Sequence, residues 1–447
     1  SRSMSRMRAL GKFAFRNAST PVAGLRRRES VAYLEIRQTG PLSGTYRVQG
    51  SKNAVLPMLA ATLLVPGKTT LHRVPKIKDV NVMLEILHLL GCCSCWEGEA
   101  LTIDAGNVNN WVIPEELIGQ MRSSVILLAP ILYRMKKAAV VEPGGCSIGR
   151  RPIDIHLYVL QALGVKLHYE WEEHIFAQAD YFCGAHLFLK FPSVGATEQA
   201  ILAAVTANGM TVIDNAAREP EISELCRMLR GMGAKITGDQ TGRIVIEGVK
   251  ELFESTCEVG ADRIVAATCL SAVAVCSGEI TLTGVDASHL NGVIEPFEKM
   301  GCKIWSDKDT LTAARMDKLM AIPYLKTSPY PGFPTDVQSL IMAVMSFADG
   351  QSVVEEGIFE GRFRTAYQLQ KMGAAIIIEN NQAIIWGSHL IGTKVEAPDL
   401  RGGAALAIAG LGADGVTTIF GYDHIARGYE DLAGMLFMLG AQAALRE

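Results

Sequence analysis

The chain has 447 residues, of which 49% are hydrophobic and 20% charged, and this balance is typical of a globular protein with two or more domains. Its 43 basic and 46 acidic residues nearly cancel, which excludes a global field that attracts nucleic acid or anionic membranes. The longest apolar runs, such as 125–133 and 266–276, are shorter than the roughly 20 residues that cross a bilayer.

The first 30 residues are basic and contain no acidic residue before Glu29. Arginines and one lysine recur from Arg2 to 26–28. We interpret residues 1–30 as a basic N-terminal tail, and an Arg-rich targeting segment is the alternative. No function is assigned to this segment.

Ten cysteines are spread along the chain at spacings that match neither a disulfide framework nor a paired zinc site. The sequence therefore predicts a protein of the reducing cytoplasm. Cys92, Cys93 and Cys95 cluster in a predicted strand that has no histidine pair beside it. We interpret them as small buried hydrophobic residues, with metal binding as the alternative.

A short motif with a central glycine recurs six times along the chain. Its glycines are 67–73 residues apart, at Gly91, Gly164, Gly233, Gly301, Gly373 and Gly440. Apolar residues at helical spacing precede each glycine, which predicts a helix that ends in a left-handed glycine cap. Alternating residues and turn-forming clusters follow at 97–99, 171–173, 241–242 and 379–381, which predict β-hairpins.

A second repeated signal predicts one more helix and strand in each unit. A glycine followed by β-branched residues occurs at 67–71, 209–213, 278–282, 350–354 and 415–419, and 136–141 fills the remaining place without the glycine. The unit is therefore a mixed α/β segment of about 70 residues in six copies. We expect two domains of three units each, with helices inside and sheets outward around a pseudo-threefold axis. The alternative is an open solenoid, but solenoid repeats are usually about 20–50 residues long.

Two segments carry residues suited to anion chemistry. Lys52 precedes a helical run, where its ammonium and the backbone N–H groups could hold an anion, although a solvated lysine is the alternative. The glycine-rich segment 143–154 places Cys146 close to Arg150 and Arg151, and nearby cations favour a reactive thiolate. An inert buried thiol is the alternative for Cys146.

Four later segments put an arginine or an aspartate beside residues that end or bend an element. These segments are 330–336, 361–364, 398–403 and 423–429. Each could be a surface ion pair or a helix cap. Because they recur between repeat elements, we expect them to be loops that face one cleft between the two domains, which is the default place for a ligand site.

Nine segments together resemble those of one enzyme family, in the family's order. They are GSKNA (50–54), MRSSV (121–125), PGGCSIGRRPID (143–154), PSVGATE (192–198), NAAREPEI (215–222), ADRI (261–264), PGFPTD (331–336), DLRGGAAL (399–406) and HIARGYE (424–430). From Leu34 to the end, the chain resembles the UDP-N-acetylglucosamine 1-carboxyvinyltransferases, the enolpyruvyl transferases that open peptidoglycan precursor synthesis.

The resemblance implies a two-lobed inside-out α/β barrel of six βαβαββ repeats. We expect one domain at 52–259, which carries the catalytic loop, and a second domain at 31–51 and 260–447. The implied reaction joins phosphoenolpyruvate to the 3′-hydroxyl of UDP-N-acetylglucosamine by addition and then expels phosphate by elimination. It requires no metal or organic cofactor. The implied partners are these small-molecule substrates, without nucleic acid or membrane insertion, and the oligomeric state is left open.

The resemblance also implies roles for individual residues. Lys52, Arg151 and Arg427 would hold the phosphate of phosphoenolpyruvate and Asn53 would lie beside them. Arg401 would clamp the carboxylate and Arg362 would close onto the same substrate. Up to three negative charges in a dehydrated cleft require several cations. Asp336 would orient the acceptor hydroxyl or take its proton, and Cys146 would donate a proton to the vinyl carbon, assist product release or form a covalent adduct.

The residues that the resemblance implies for UDP-sugar binding are Arg122, Arg151, Pro152, Ile153, Asp154, Ile155, Phe191, Pro192, Ser193, Val194, Asp336 and Ile358. This chain departs from the family pattern at three places: Phe191 stands where some members have lysine, Gly361 replaces a common asparagine, and Arg364 replaces an apolar residue.

Two alternatives to this function remain. The first is a related transferase with another acceptor. Shikimate 3-phosphate is disfavoured by segments 143–154 and 424–430, whereas another uridine nucleotide is harder to exclude. The second is a non-catalytic UDP-sugar-binding protein, which the intact Lys52, Cys146, Asp336, Arg401 and Arg427 disfavour.

Overall fold

The computed structural model describes residues 32–141, 153–170, 174–359 and 361–447. The strands are β1 (Tyr33–Arg37), β2 (Leu42–Arg47), β3 (Lys68–His72), β4 (Cys93–Glu97), β5 (Ala100–Asp104), β6 (Lys137–Val141), β7 (Lys166–Glu170), β8 (His174–Gln178), β9 (His186–Phe188), β10 (Met210–Asp214), β11 (Lys235–Thr237), β12 (Arg243–Glu247), β13 (Ser255–Glu258), β14 (Gly278–Thr283), β15 (Lys303–Asp307), β16 (Thr310–Arg315), β17 (Leu325–Lys326), β18 (Gln351–Glu355), β19 (Ala375–Glu379), β20 (Gln382–Trp386), β21 (Lys394–Glu396), β22 (Val416–Phe420) and β23 (Ala443–Arg446).

The α-helices alternate with these strands. They are α1 (Lys52–Ala61), α2 (Lys78–Leu89), α3 (Glu115–Gln120), α4 (Leu128–Met135), α5 (Asp154–Ala162), α6 (Val194–Ala204), α7 (Pro220–Gly231), α8 (Arg263–Cys276), α9 (Asn291–Lys299), α10 (Gln338–Met345), α11 (Arg364–Lys371), α12 (Leu400–Gly412), α13 (Tyr422–Ile425) and α14 (Leu432–Met438). Short 3₁₀ turns at Thr62–Leu64, Arg122–Leu127, Ala287–Leu290 and Thr335–Val337 adjoin them.

Within the described residues the strands form six sheets, five with four strands and one with three. The four-stranded sheets share one pattern of pairing. The first two strands are parallel to each other, and the third strand is antiparallel to both of its neighbours. In the order β13-β3-β5-β4, for example, β13 and β3 are parallel and β5 pairs antiparallel with both β3 and β4. The sheet β21-β22-β1-β23 keeps this pattern although β1 comes from the start of the chain.

The glycine signals correctly predicted where helices end. All six repeat glycines have a positive φ, between 90° and 102°, a backbone conformation that residues with a Cβ rarely adopt. The hairpins predicted at 97–99 and 379–381 are the turns β4–β5 and β19–β20. The turn at 171–173 lies outside the described residues.

The prediction that three neighbouring cysteines are buried is wrong for two of them. Cys92 is buried, whereas Cys93 and Cys95 are exposed. Both lie on β4, which is an edge strand of its sheet, and residues two apart on a strand point to the same face. That face of the edge strand is open to solvent, so periodicity alone could not reveal their exposure.

The buried side chains form two hydrophobic clusters. The first cluster runs from Ala54 to Val259, and the second contains residues 34–48 together with 264–441. Four helices, α6, α8, α10 and α12, are apolar and buried around most of their circumference, as expected of interior helices. The division into domains at 52–259 and at 31–51 with 260–447 stays a prediction, which these clusters support.

The chain passes between the two clusters at two places, which pair with each other. We name residues 48–52 and 259–263 the crossing segments. Gly50 and Ala261 form an antiparallel bridge, and the Ser51 N–H donates to the Gly260 carbonyl over 2.8 Å. In the opposite direction, the Asp262 N–H donates to the Gln49 carbonyl over 2.9 Å. The two passages of the chain between the clusters therefore form one short two-stranded connection.

None of the helices in the described ranges has the length and apolar character needed to cross a membrane.

Candidate active site

Four of the predicted site residues lie where a helix begins. Lys52 and Asn53 open α1 behind the N-cap Ser51, and Arg401 lies in the first turn of α12 behind the N-cap Asp399. Asp336 lies in the 3₁₀ turn that leads into α10. The positive end of a helix dipole favours negative charge, so the starts of these helices suit a region that binds anions.

Asp336 is the centre of the first group of contacts. Arg362 donates from Nη2 to Oδ1 over 2.5 Å, and Arg401 donates from Nη2 to Oδ2 over 3.0 Å. Asn53 Nδ2 also donates to Oδ2, at 3.3 Å. Burial raises the pKa of Asp336, but Arg401, Arg362 and Lys52 outweigh it and hold the pKa well below its ordinary value. Asp336 is therefore an ionised carboxylate.

Asp79 is the centre of a second group. Its Oδ2 accepts Lys52 Nζ at 2.9 Å, and Arg427 donates from Nε to Oδ1 at 2.8 Å and from Nη2 to Oδ2 at 3.2 Å. Burial, Arg401 and Arg427 lower the pKa of Lys52, and Asp79 partly opposes this effect. Burial raises the pKa of Asp79, but Lys52 and Arg427 reverse the shift and lower it.

The two groups adjoin, because the neighbouring residues Lys52 and Asn53 contact Asp79 and Asp336 respectively. Consistent with this proximity, Lys52 lowers the pKa of Asp336 and Arg401 lowers that of Lys52. Four cationic side chains surround two carboxylates, which leaves these six groups with a formal charge of +2. Arg401 Nη1 is buried and has no hydrogen-bond partner in the described part of the chain. A buried donor without a partner costs free energy that an anion would recover.

Sequence reasoning missed two aspartates that order this site. Asp79 lies in the first turn of α2 and is 2% exposed. Asp262 caps α8 through Oδ1, and its Oδ2 accepts the Lys52 N–H at 3.0 Å, so it ties the start of α1 to the start of α8. An acidic residue in the first turn of a helix is common, so the sequence held no signal that distinguished Asp79. Asp262 lies in the family-like segment at 261–264, which was the signal available for it, although no role was assigned to the residue.

The predicted sugar-binding residues fall into two described groups. Ile153, Asp154 and Ile155 lie at the start of α5, and the segment 191–194 leads into α6, which packs against α5. Asp154 forms an ion pair with Lys190, and Phe191 is 40% exposed. Pro192 precedes Ser193, the N-cap of α6, and Val194 begins that helix.

The second group contains Asp336 and Ile358, which are connected through Thr335 and Glu356. Among the described residues, the hydrogen bonds of Asp336 run to Asn53, Arg362 and Arg401, and none joins it to the group at 153–155 and 191–194. The structure therefore brings together Lys52, Asn53, Asp336, Arg362, Arg401 and Arg427, but not the whole predicted set.

Some of the predicted residues lie outside the part of the chain that the structure describes. Cys146, Arg151 and Pro152 lie outside the described residues, and Arg122 belongs to a described 3₁₀ turn although its side chain does not. Among the described residues, no group of three or more histidine, cysteine, aspartate or glutamate side chains is arranged to hold a metal ion.

Comparison with known proteins identifies the family. Residues 36–436 match the family model of EPSP synthase (3-phosphoshikimate 1-carboxyvinyltransferase). The chain is 45% identical over 401 residues to UDP-N-acetylglucosamine 1-carboxyvinyltransferase 2 of Caldanaerobacter subterraneus, covering 90% of this chain and 96% of that one. It is 42% identical to the UDP-N-acetylglucosamine 1-carboxyvinyltransferase of Finegoldia magna, covering 91% and 97%.

A solved structure shows the same fold. The enolpyruvyl transferase NikO from Streptomyces tendae superimposes with a TM-score of 0.84 at 24% identity, covering 93% of this chain and 99% of that chain. The architecture is therefore the α/β fold of the enolpyruvyl transferases. The chain belongs to the EPSP synthase family of enolpyruvyl transferases and, within it, to the UDP-N-acetylglucosamine 1-carboxyvinyltransferases.

Proposed function

We propose that this chain is a transferase that moves the enolpyruvyl group of phosphoenolpyruvate to the 3′-hydroxyl of UDP-N-acetylglucosamine and releases phosphate, the first committed step of peptidoglycan precursor synthesis. The observation that carries the proposal is the cluster of Lys52, Arg362, Arg401 and Arg427 around two carboxylates, in which the buried Nη1 of Arg401 has no hydrogen-bond partner among the described residues. The names of the relatives at 42–45% identity supply the acceptor.

In this proposal, phosphoenolpyruvate binds through both of its anionic groups. Lys52 and Arg427 hold the phosphate from the side of Asp79, and Arg401 offers its buried Nη1 to the carboxylate. Arg362 approaches the same substrate beside Asp336, and Asn53 adds a neutral donor. Arg151 would complete the phosphate site from outside the described residues.

Asp336 acts on the acceptor hydroxyl. Held by two arginines, it is a weak base, so it orients the hydroxyl before it takes a proton. When the substrate carboxylate draws the arginine donors away, the pKa of Asp336 rises and its basicity increases. Substrate binding thereby prepares the base.

The reaction has two balanced steps. In the addition, the acceptor oxygen bonds to C2 of phosphoenolpyruvate and gives its proton to Asp336, while C3 gains a proton from the Cys146 thiol, which becomes a thiolate. In the elimination, the Cys146 thiolate takes a proton back from C3, the double bond between C2 and C3 re-forms, and the bond from C2 to the phosphate oxygen breaks. The phosphate leaves with the proton that Asp336 held. The acceptor is held at 153–155 and 191–194, with Arg122, Arg151, Pro152 and Ile358, as the family pattern implies.

We also propose the finer architecture of two lobes with three βαβαββ repeats each, arranged as inside-out barrels. The six sheets, the buried helices and the two hydrophobic clusters support it. We place the protein in the cytoplasm, and the nine free cysteines among the described residues support a reducing compartment.

Phosphate release tests this function directly. Release should require phosphoenolpyruvate together with UDP-N-acetylglucosamine, and UMP should not replace the sugar nucleotide. Phosphate release from phosphoenolpyruvate with UMP but not with UDP-N-acetylglucosamine would identify a paralogue with another uridine acceptor. Binding of the sugar nucleotide without any phosphate release would identify a non-catalytic protein.

Two variants test the proposed roles of Cys146 and Lys52. Cys146→Ser should abolish modification by an epoxide inhibitor and impair turnover, whereas unchanged modification contradicts the assigned thiol. Lys52→Ala should weaken phosphoenolpyruvate binding, and unaltered affinity removes Lys52 from the site.

A further inference from the structure

A buried carboxylate that no predicted role includes joins several parts of the site. Glu356 follows β18 directly and is 3% exposed. Its Oε1 accepts the Thr327 hydroxyl at 2.8 Å and the backbone N–H groups of Ile358 and Phe359 at 2.8 and 3.2 Å. Its Oε2 accepts the Thr335 hydroxyl at 2.9 Å. Four donors from three segments therefore meet on one side chain.

Two of these segments carry residues of the candidate active site. Thr335 precedes Asp336, and its hydroxyl oxygen also accepts Arg362 Nε at 3.3 Å. The ring of Phe359 lies 5.4 Å from the Arg362 guanidinium. Arg362 is thus supported by Thr335 on one side and by Phe359 on the other, and Glu356 bonds to both supports.

The chemistry of the contacts favours a carboxylate. A glutamate presents about four acceptor sites and no donor, which matches two hydroxyl donors and two backbone N–H donors. Because the backbone N–H groups can only donate, the amide oxygen of a glutamine would take the place of Oε1. Its NH₂ group would then point at Thr335, whose hydroxyl would have to turn away and accept a second donor beside Arg362 Nε.

We propose that Glu356 is a positioning residue that sets the joint geometry of Asp336, Arg362 and the backbone at Ile358. The inference rests on the proposed function, because it assumes that Asp336 and Arg362 act on the substrates. Glu356 itself is buried and reaches Asp336 and Arg362 through Thr335 rather than by a direct hydrogen bond. It acts by fixing the distance between the residue that orients the acceptor and the arginine that contacts phosphoenolpyruvate.

The test compares Glu356→Gln with Glu355→Gln, a neighbouring carboxylate of the same strand end. Glu355 pairs with Lys326 at 2.7 Å, Tyr324 at 2.8 Å and Gln382 at 2.9 Å, away from Asp336 and Arg362. In steady-state kinetics, Glu356→Gln should lower kcat and raise the KM for phosphoenolpyruvate, reducing kcat/KM about 10–100-fold. Glu355→Gln should change neither parameter more than about twofold.

A second pair of variants tests the link from Glu356 through Thr335 to Arg362. Thr335→Val removes the hydroxyl between Glu356 and Arg362, and Thr335→Ser retains it. Thr335→Val should reproduce most of the kinetic loss, and Thr335→Ser should restore activity. A purely structural Glu356 would lower the melting temperature without this kinetic split.

The outcomes separate the two proposals. If the wild type does not couple phosphoenolpyruvate to the sugar nucleotide, the proposed function fails. If the wild type is active and Glu356→Gln behaves as Glu355→Gln does, the positioning role is wrong. If Glu356→Gln does not fold, the Thr335 pair decides alone, and equal activity of its valine and serine variants overturns the inference.

Discussion

Arg401 and Asp336 share one hydrogen bond of 3.0 Å, and Arg401 uses only one end of its guanidinium fork to make it. Arg401 Nη2 donates to Oδ2, while Nη1 is buried without a partner among the described residues. Burial lowers the pKa of Arg401, but Asp336 outweighs this and raises it. The arginine therefore stays charged while its Nη1 donors have no partner among the described residues.

Arg401→Lys tests this second end of the fork. A lysine can keep a charged contact with Asp336 but cannot offer a second, rigid donor at the position of Nη1. We expect the KM for phosphoenolpyruvate to rise about 10–100-fold, the range of a lost charge-assisted hydrogen bond, with a smaller change for the sugar nucleotide. An unchanged KM for phosphoenolpyruvate in initial-rate measurements would contradict the role.

Asp79→Asn tests the carboxylate that pairs with two cations. Lys52 and Arg427 would lose their shared countercharge, so kcat/KM for phosphoenolpyruvate should fall about tenfold or more. Asp79 also raises the pKa of Lys52, so its neutralisation lowers that pKa further. The alkaline limb of the pH profile should therefore move to lower pH. The control is Asp423→Asn at the exposed pair with Lys78, where neither change is expected.

Glu224→Gln should stabilise the protein at alkaline pH. Burial raises the pKa of Glu224 to about 7, while Glu221 and Asp262 add to the rise and the Gly260 N–H and Arg227 oppose it. A raised carboxyl pKa contributes stability below its ordinary value of 4.5, and this stability is lost as pH rises through about 7.

The Glu224 prediction is checked by thermal unfolding. A glutamine keeps an acceptor for the Gly260 N–H, which donates to Glu224 at 2.7 Å, and it carries no charge to bury. Relative to the wild type, the variant should gain up to about 3 kcal/mol between pH 5 and pH 8. The exposed Glu247→Gln serves as the control, and a gain that does not grow with pH would rule out the buried charge as its cause.

Arg263→Met tests a buried ion pair between the two hydrophobic clusters. Arg263 begins α8 and donates from Nε and Nη2 to Glu221 on α7, at 2.9 and 3.3 Å. Removal of the cation leaves a buried carboxylate without its partner, which should cost about 3–5 kcal/mol in urea unfolding. Adding Glu221→Gln should restore part of this loss, and strictly additive effects would mean that the pair is not coupled.

The sequence predicted the ends of the repeat helices well, because a left-handed cap depends on one residue. Gly91 and Gly301, for example, have φ of 102° and 101° and stand where the pattern placed helix ends. Lys52 likewise opens α1 as predicted. These are local properties, so residues a few positions apart suffice to reveal them.

The ion pairs of the site could not be predicted, because the two partners of each pair are distant in the chain. Asp79 meets Arg427, and Asp336 meets Arg401, only after the elements have packed. Glu356 is a still clearer case, since nothing in its neighbourhood suggests a carboxylate that collects four donors. Residue patterns indicate which side chains are suited to bind anions, but they do not indicate which internal carboxylates hold those side chains in place.

The position of β1 has a consequence for the synthesis of the protein. Leu34 pairs with Ile419 on one side and with Leu445 on the other, so the first strand is the inner strand of a sheet built otherwise from the last part of the chain. On the ribosome, β1 emerges early and must keep both of its hydrogen-bonding edges unsatisfied until β22 and β23 follow. The region from Ala54 to Val259 contains its own hydrophobic cluster and can fold before those strands are made, whereas the second cluster can close only after β22 and β23 have emerged.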